Sequence, residues 1–383
     1  MGNVYQKGFG KAKKSKNDEF YTQMIDIEKE LVYYKEHFCG KVVLCNCDDP
    51  FESNFFKYFA TNFNFLKLRR LVATGYAGSG FGYGQIGDIF GLRPEIGEDA
   101  SKGRRGFKIV VNEVNGVNGV KGVNEVNGVN GFRGVNVSGL EGLVKNKNNE
   151  LALLGGNGDF RSAECLELLK EADLVVTNPP FSLFREFIAK LLDYEKKFLV
   201  IGNVNAVGYK EIFPLIMKDK IWLGQSIHGG DREFRVPATY PLEAANFRVD
   251  GDGNRYIRVK GVRWFTNLDV PVRHDRLILS KRYRAKESVR YDNYDAIEVG
   301  LVSDIPYDYD GLMCVPITFL DKYNPDQFRI LGITDRQNSS GLRTKKYSIK
   351  DSDKYSDMNG RGVIKTESGY ETKYARLIIK RRD

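Results

Sequence analysis

The sequence predicts an α/β fold built on a mostly parallel sheet. Short apolar, β-branched runs recur at Lys41–Cys47 (KVVLCNC), Leu71–Thr74, Asp173–Thr177 (DLVVT) and Phe198–Asn203 (FLVIGN). Helical stretches, notably Ala163–Glu171 and Ser182–Lys190, lie between them. Strands alternating with helices argue for a sheet with helices on its faces. The length, 383 residues with 42% hydrophobic side chains, is enough for a large core and favours two domains over one.

The elements follow in order. Residues 1–17 carry Lys7, Lys11, Lys13, Lys14 and Lys16 without an apolar stretch, so they read as a flexible basic arm and not as a secretory signal. Asp26–His37 is expected to be helical, with Ile27, Leu31 and Tyr34 on one face. Gly82-x-Gly84-x-x-Gly87 matches a dinucleotide-binding pattern, but other glycines surround it and the residues after it make a poor helix, so it reads as a loop. Val111 to Val137 runs in triplets of the type VNG. A period of three suits neither a helix nor a half-buried strand, and one Val per triplet cannot build a core. Gly103–Glu150 therefore reads as a low-complexity insertion between two elements of the sheet. Trp264 and Phe265, in VRWFTNL, read as a buried strand, and the flanking Arg255, Arg258, Lys260 and Arg263 are candidates for phosphate contacts. Beyond about residue 280 the composition shifts. Residues 341–383 hold 12 Lys+Arg against 6 Asp+Glu, with Tyr347, Tyr355, Tyr370 and Tyr374 interleaved. Basic residues mixed with aromatics suit a nucleic-acid face, and equally a solvated surface with strand tyrosines.

Several classes are excluded. No apolar run approaches the ~18–20 residues needed to span a bilayer, so no membrane partner is expected. Five scattered cysteines do not make a disulfide framework, which points to the cytoplasm. Cys39, Cys45 and Cys47 lack a second cluster or a His pair, and His37, His228 and His274 are isolated, so no metal is expected. Walker A and Ser-His-Asp or Cys-His nucleophile patterns are absent. The net charge of +9 is a mild bias toward an anionic partner.

The chemistry concentrates at Asn178-Pro179-Pro180-Phe181, just after DLVVT. Consecutive prolines end the strand, since neither can donate to a ladder, and Pro179 keeps Asn178 out of the helical region. The result is a stiff loop at the carboxyl end of a parallel strand, where open α/β sheets bind ligands. Asn178 offers an amide oxygen, Pro179 a carbonyl, and Phe181 a flat apolar face. This set suits one chemical problem. The exocyclic amine of adenine is a poor nucleophile because its lone pair is delocalised into the ring. Two acceptors on its N–H bonds would draw the nitrogen toward tetrahedral geometry, ready to attack an electrophilic methyl in line. The base would have to leave the duplex stack, and an aromatic ring would hold it there. Asn203 and Asn205, at the end of the next strand, are further candidates to line the pocket.

The strand plus NPPF resembles the catalytic motif of S-adenosylmethionine-dependent amino-methyltransferases of the DNA adenine type. KNDEFYTQ (16–23), CDDPFESNFFKYF (47–59), VVTNPPFSLFREF (175–187) and GVRWFTNLD (261–269) together resemble the EcoRI-type adenine-specific DNA methyltransferases. VPITFLDKYNPDQF (315–328) resembles a segment shared more widely among such enzymes. The resemblance implies a Rossmann-like methyltransferase sheet at 18–275, a smaller target-recognition region at 276–383, S-adenosylmethionine as cofactor and double-stranded DNA as substrate. Residue by residue, it implies catalysis by Asn178, Pro179, Pro180 and Phe181. It implies that Asp159 accepts from the cofactor's adenine amine while Phe160 packs on that ring, and that Phe20, Tyr21 and Thr22 close over the methionine moiety. Cys45, Asp48 and Asp49 fall where the cofactor loop should sit. The turn NCDDPFESN departs from the family there, because it has no glycine, and no acidic residue directly follows Leu71–Thr74. An acidic pair in that turn could instead bind the cofactor's amino group or ribose hydroxyls. A monomer suffices for methylating one strand, the expected setting is a bacterial cell, and the sequence leaves open whether a restriction endonuclease accompanies it, as a functional and not a physical partner. The alternatives are methylation of another acceptor (cytosine N4, RNA or a protein glutamine) and an inactive DNA-binding relative.

Overall fold

The computed structural model describes residues 20–47, 49–77, 105–114, 142–143, 146–237, 240 and 247–382. The basic arm 1–17, Asp48, the Gly82–Gly87 pattern and the triplets from 115 onward lie outside the described residues. The chain divides into two units, Met1–Val204 with Gly229–Leu268, and Asn205–His228 with Asp269–Asp383.

The first unit begins with β1 (Tyr21–Thr22), α1 (Met24–Leu31), β2 (Val42–Cys45), α2 (Asn54–Thr61) and β3 (Arg70–Gly75). It continues with β4 (Phe107–Val111), β5 (Glu150–Leu153), α3 (Ala163–Glu171), β6 (Leu174–Thr177), α4 (Phe184–Asp193) and β7 (Lys197–Asn203). Two elements of the second unit follow, α5 (Phe213–Met217) and β8 (Trp222–Leu223), before the chain returns to the first as β9 (Asp231–Val236), β10 (Phe247–Val249), β11 (Arg255–Lys260) and β12 (Val262–Thr266). The rest of the second unit holds β13 (Ala296–Glu298), β14 (Leu312–Pro316), β15 (Phe328–Ile333), α6 (Tyr355–Met358), β16 (Gly362–Thr366), β17 (Gly369–Lys373) and β18 (Arg376–Arg381).

In the first unit the large sheet runs β5-β4-β3-β2-β6-β7-β12. Its centre, β3-β2-β6-β7, is parallel, with Leu44 opposite both Val72 and Val175, and Thr177 opposite Val200. Every residue of β2 and β6 is buried. That is why these runs read as unbroken apolar stretches: a strand covered on both faces has no solvent side to mark with polar residues. The flanks β4, β5 and β12 are antiparallel, so the sheet is mixed at its margins. The chain leaves β2 toward β3 and returns on its other side as β6, which makes β2/β6 the topological switch point, the place where open α/β sheets bind ligands at the carboxyl ends.

Local chemistry sets the helices. Ser53 caps α2 and Ser162 caps α3, each hydroxyl accepting from a first-turn backbone N–H. In α4 the buried residues Phe184, Phe187, Ile188 and Leu191 fall at the spacing of one helical face. The helix expected at Asp26–His37 is α-helical only from Met24 to Leu31 and tightens into a 3-10 segment over Val32–Phe38. The insertion expected from Gly103 starts later. Phe107–Val111 is a strand whose Phe107, Ile109 and Val111 are buried against the sheet, because FKIVV carries enough apolar surface to pair with β3. Trp264 and Phe265 are fully buried in β12, as expected, but Arg263 is buried too and donates to the Val262 carbonyl, so it offers nothing to a phosphate.

A second, antiparallel sheet of the first unit runs β1-β9-β11-β10. One face carries the row Thr22, Phe234, Ile257 and Phe247. Within the second unit, β13-β14-β18-β15 form a sheet whose core includes Met313, Cys314, Val315, Leu377, Ile378 and Ile379, and β16–β17 form a hairpin. Of the four C-terminal tyrosines, Tyr347 is core and Tyr370 packs beside it, while Tyr355 and Tyr374 are exposed. Among the described residues no helix is long and apolar enough to cross a membrane.

Candidate active site

The site forms at the carboxyl edge of β6. Thr177 ends the strand and Asn178 is only 5% exposed. The Asn178 amide nitrogen donates to the Phe20 carbonyl. A carbonyl can only accept, so this partner fixes which end of the amide is nitrogen. The other end, Oδ1, is then a buried acceptor without a hydrogen-bond partner among the described residues. Leaving such a group unpaired costs about 1–3 kcal/mol, and native folds rarely tolerate it without a purpose. Pro180's carbonyl is taken by the Leu183 N–H, closing the 3-10 turn Phe181–Leu183 that leads into α4. Pro179's carbonyl accepts from no backbone donor among the described residues. Asn178 and Pro179 thus keep two acceptors at the sheet edge.

Aromatic rings surround them. Phe181 meets Phe20 edge-on at 5.6 Å and Phe234 at 6.4 Å, and Phe20 also contacts Phe234 at 5.8 Å and Tyr240 at 6.1 Å. The segment Phe20–Thr22 is held in place at three points. Asn178 binds the Phe20 carbonyl, Asn54 Nδ2 donates to the Thr22 carbonyl at 2.7 Å, and β1 pairs with β9 at Tyr21↔Arg235. Arg235 lies over the Tyr21 ring and pairs with Glu52 from the turn before α2. The upstream element implied by the resemblance therefore does reach the Asn-Pro-Pro-Phe turn. Sequence reasoning missed Phe234 and Tyr240. The alternation in DREFRV, with Phe234 and Val236 buried, was the available signal for β9.

The turn after β2 takes its shape from Asp49. Its Oδ1 accepts from the Phe51 N–H at 2.9 Å, and its carbonyl from Glu52 and Ser53. Cys45 and Asp49 are both buried, so this glycine-free turn is ordered by a side chain where a Gly-rich turn would rely on backbone freedom. Nearby Lys57 is pushed down from its ordinary range by burial, with Asp49 opposing the shift. At the next strand end, backbone packs on backbone. A Cβ on Gly158 would meet the Gly75 carbonyl oxygen at 2.5 Å, and one on Gly106 would meet Gly158 N at 2.6 Å. Gly158 also has φ +78°, which favours glycine. This close approach sets Asp159 and Phe160 beside the end of β3. Phe160 is buried edge-on against Phe187 of α4 at 5.1 Å. Asp159 accepts a fork from Arg161, Nε at 2.9 Å and a terminal nitrogen at 2.7 Å, and Arg161 also reaches Glu186 at 3.0 Å. The Asp159 hydrogen bonds hold the Arg161 guanidinium firmly charged. Arg161, a third residue missed in the sequence, makes Asp159 part of an ion-pair chain to α4.

Asn203 ends β7 and donates to the Lys260 carbonyl at 2.8 Å, tying β7 to the β11–β12 junction. Asn205 falls in the second unit. Among the described residues no group of His, Cys, Asp and Glu is arranged to hold a metal ion.

Comparison with known proteins fits this geometry. The family model described as "Adenine-specific methyltransferase EcoRI" matches residues 8–382. The chain is 46% identical over 338 residues to the type II methyltransferase M.EcoRI of Escherichia coli, covering 86% of this chain and 90% of that protein. It is 34% identical over 381 residues to the type II methyltransferase M.MpnI of Mycoplasma pneumoniae, covering 98% of each. No solved structure matches. Family match and near full-length relatives lead to one conclusion: the chain belongs to the family of EcoRI-type adenine-specific methyltransferases.

Proposed function

We propose that the chain methylates N6 of an adenine extruded from double-stranded DNA at a specific site, in a restriction-modification setting. The buried Oδ1 of Asn178, without a partner among the described residues, carries this reading. An amine N–H is the donor it lacks. The Pro179 carbonyl is the second acceptor, and together they draw the amine's lone pair out of the ring. Phe181 takes one face of the base, and such stacking is worth about 1–3 kcal/mol. The NPPF residues hold the acceptors by geometry alone, so no covalent enzyme intermediate is formed and no side chain needs to change its charge before transfer.

S-adenosylmethionine would bind at the carboxyl ends of β2 and β6, at the switch point of the sheet, and would supply the electrophilic methyl. Phe20, Tyr21 and Thr22 would cover its methionine moiety, and the hydroxyls of Thr22, Thr74 and Thr177, buried and without a hydrogen-bond partner among the described residues, would be free to donate to it. Phe160 would pack on its adenine and Asp159 would accept from the adenine amine. Cys45 and Asp49 would line the turn beside it, with Asp48 next to them in sequence. Incubating the chain with duplex DNA and radiolabelled donor, followed by nucleoside analysis, tests this reading. Label on N6-methyladenine supports it, and label on cytosine or absence of transfer refutes it. Sequencing methylated adenines from an expressing host then gives the target.

A further inference from the structure

The segment from Asp275 to Arg290 in the second unit is nearly all exposed and forms no helix or sheet strand. Its backbone is nonetheless pinned. The Gln327 side-chain amide clamps Leu277 from both sides, accepting from its N–H at 2.7 Å and donating to its carbonyl at 2.9 Å. Asn324 donates to the His274 carbonyl at 2.7 Å, the Tyr307 N–H reaches the Lys281 carbonyl at 2.9 Å, and Asp308 accepts from the Tyr283 N–H at 2.7 Å. Tyr283 also packs on Tyr309 at 4.4 Å. Arg276, Ile278, Ser280, Lys281 and Arg282 are exposed, while Leu277 and Leu279 among them are half-buried.

Two features of the exposed row point to a ligand. The strap is cationic, with Arg276, Lys281, Arg282, Arg284, Lys286 and Arg290 against Asp275 and Glu287. The acids that meet these cations do so at the surface, as in Arg282–Asp308 at 3.3 Å and Arg284–Glu287 at 3.0 Å. Such exposed pairs are worth little and yield to a phosphate. Ile278, in the middle of the row, is 97% exposed on this clamped backbone. A lone exposed apolar side chain is ordinary on a protein surface, but here the backbone is braced to present it and cations flank it. Duplex DNA matches that pattern, with two rails of negative charge and apolar base surface between them.

We infer that the strap 275–290 is a DNA-reading element in which Arg276 and Arg282 grip phosphates and Ile278 makes an apolar contact with the bases. Gln327 is its positioning residue. The inference rests on duplex DNA being the substrate and adds the residues that hold it.

The test uses the full chain, with anisotropy measured on a duplex carrying the mapped target and on a scrambled duplex, across a salt series. Arg276→Ala and Arg282→Ala should weaken both duplexes alike and each reduce the salt slope by about 1. Ile278→Ala should weaken target binding about tenfold, leave scrambled binding and the salt slope unchanged, and lower discrimination accordingly. Its thermal midpoint should match wild type, because an exposed side chain contributes nothing to packing. Gln327→Ala should lower target binding without changing the salt slope. If wild type methylates adenine in duplex DNA while the arginine and isoleucine variants all bind like wild type, the strap assignment is overturned alone. If wild type leaves duplex DNA unmethylated, the proposed function falls and the strap assignment with it.

Discussion

Asn178→Asp separates the orientation of the acceptor from its presence. The carboxylate keeps an oxygen in the Oδ1 position but loses the N–H that the amide gives to the Phe20 carbonyl. An ionised carboxylate can only accept, so its second oxygen would face that carbonyl lone pair to lone pair. The lost hydrogen bond is worth about 1 kcal/mol, and the stranded carbonyl costs about 1–3 kcal/mol more. At a position only 5% exposed, burial also disfavours the charged form and raises the acid's pKa. Once protonated, the acid regains a donor for Phe20 and leaves its other oxygen to accept from the amine. The active form of the variant is therefore the protonated one. Its single-turnover rate should lie about 10²–10³-fold below wild type near pH 8 and climb as pH falls through the raised pKa. Asn178→Ala, with no acceptor, should stay low and flat. Rapid-quench methyl transfer at saturating donor and duplex reads both, with circular dichroism as the folding control. An aspartate variant as fast as wild type near pH 8, or one with no recovery in acid, would refute the role given to the Phe20 carbonyl.

Three further outcomes follow from packing and charge. Phe234→Ala removes a ring that is 1% exposed and touches both Phe20 and Phe181; it should cost about 3–5 kcal/mol in urea unfolding, and a loss below about 1 kcal/mol would contradict the packing. His274 sits between Asp326 at 2.6 Å and Asp269 at 2.9 Å, and these hydrogen bonds raise its pKa. Its stabilisation is therefore complete below the ordinary value of about 6.5 and lost as pH rises through the raised one, so the gap in melting temperature between wild type and His274→Gln should close toward alkaline pH; a gap independent of pH counts against the pairing. Deleting 116–140 removes triplet residues while sparing β4, β5 and the Asn64 contact to the Val114 carbonyl; methyl transfer should remain measurable, and a folded but inactive deletion would mean that the triplets take part in the chemistry.

Much of this architecture could be read from the sequence because its key elements are local. Strands buried on both faces announce themselves as apolar runs, and β2, β3, β6 and β7 lie where KVVLCNC, LVAT, DLVVT and FLVIGN stand. The Asn-Pro-Pro-Phe turn is legible because proline restricts the backbone whatever surrounds it. What escaped was non-local or one-sided. β9 buries Phe234 and Val236 and turns charged residues outward, so DREFRV resembles surface. Its pairing with β1, some two hundred residues away in sequence, leaves no local trace. β4 was hidden by the repeat beside it, although FKIVV has strand composition. The Arg161 fork onto Asp159 depends on side-chain reach that spacing alone does not disclose.

The bond from Asn178 to Phe20 also has a temporal consequence. The Asn-Pro-Pro-Phe turn leaves the ribosome with its own conformation set by proline, but the strand that keeps Phe20 against it pairs with Tyr21↔Arg235 and Thr22↔Phe234. Until translation passes Val236, Phe20–Thr22 has its bonds to Asn178 and Asn54 but lacks the strand pairing and the Phe234 ring that hold it against the turn. A nascent or prematurely terminated chain would therefore carry the full signature motif yet stay idle, and competence would arrive only with the stretch that completes the ring of aromatics.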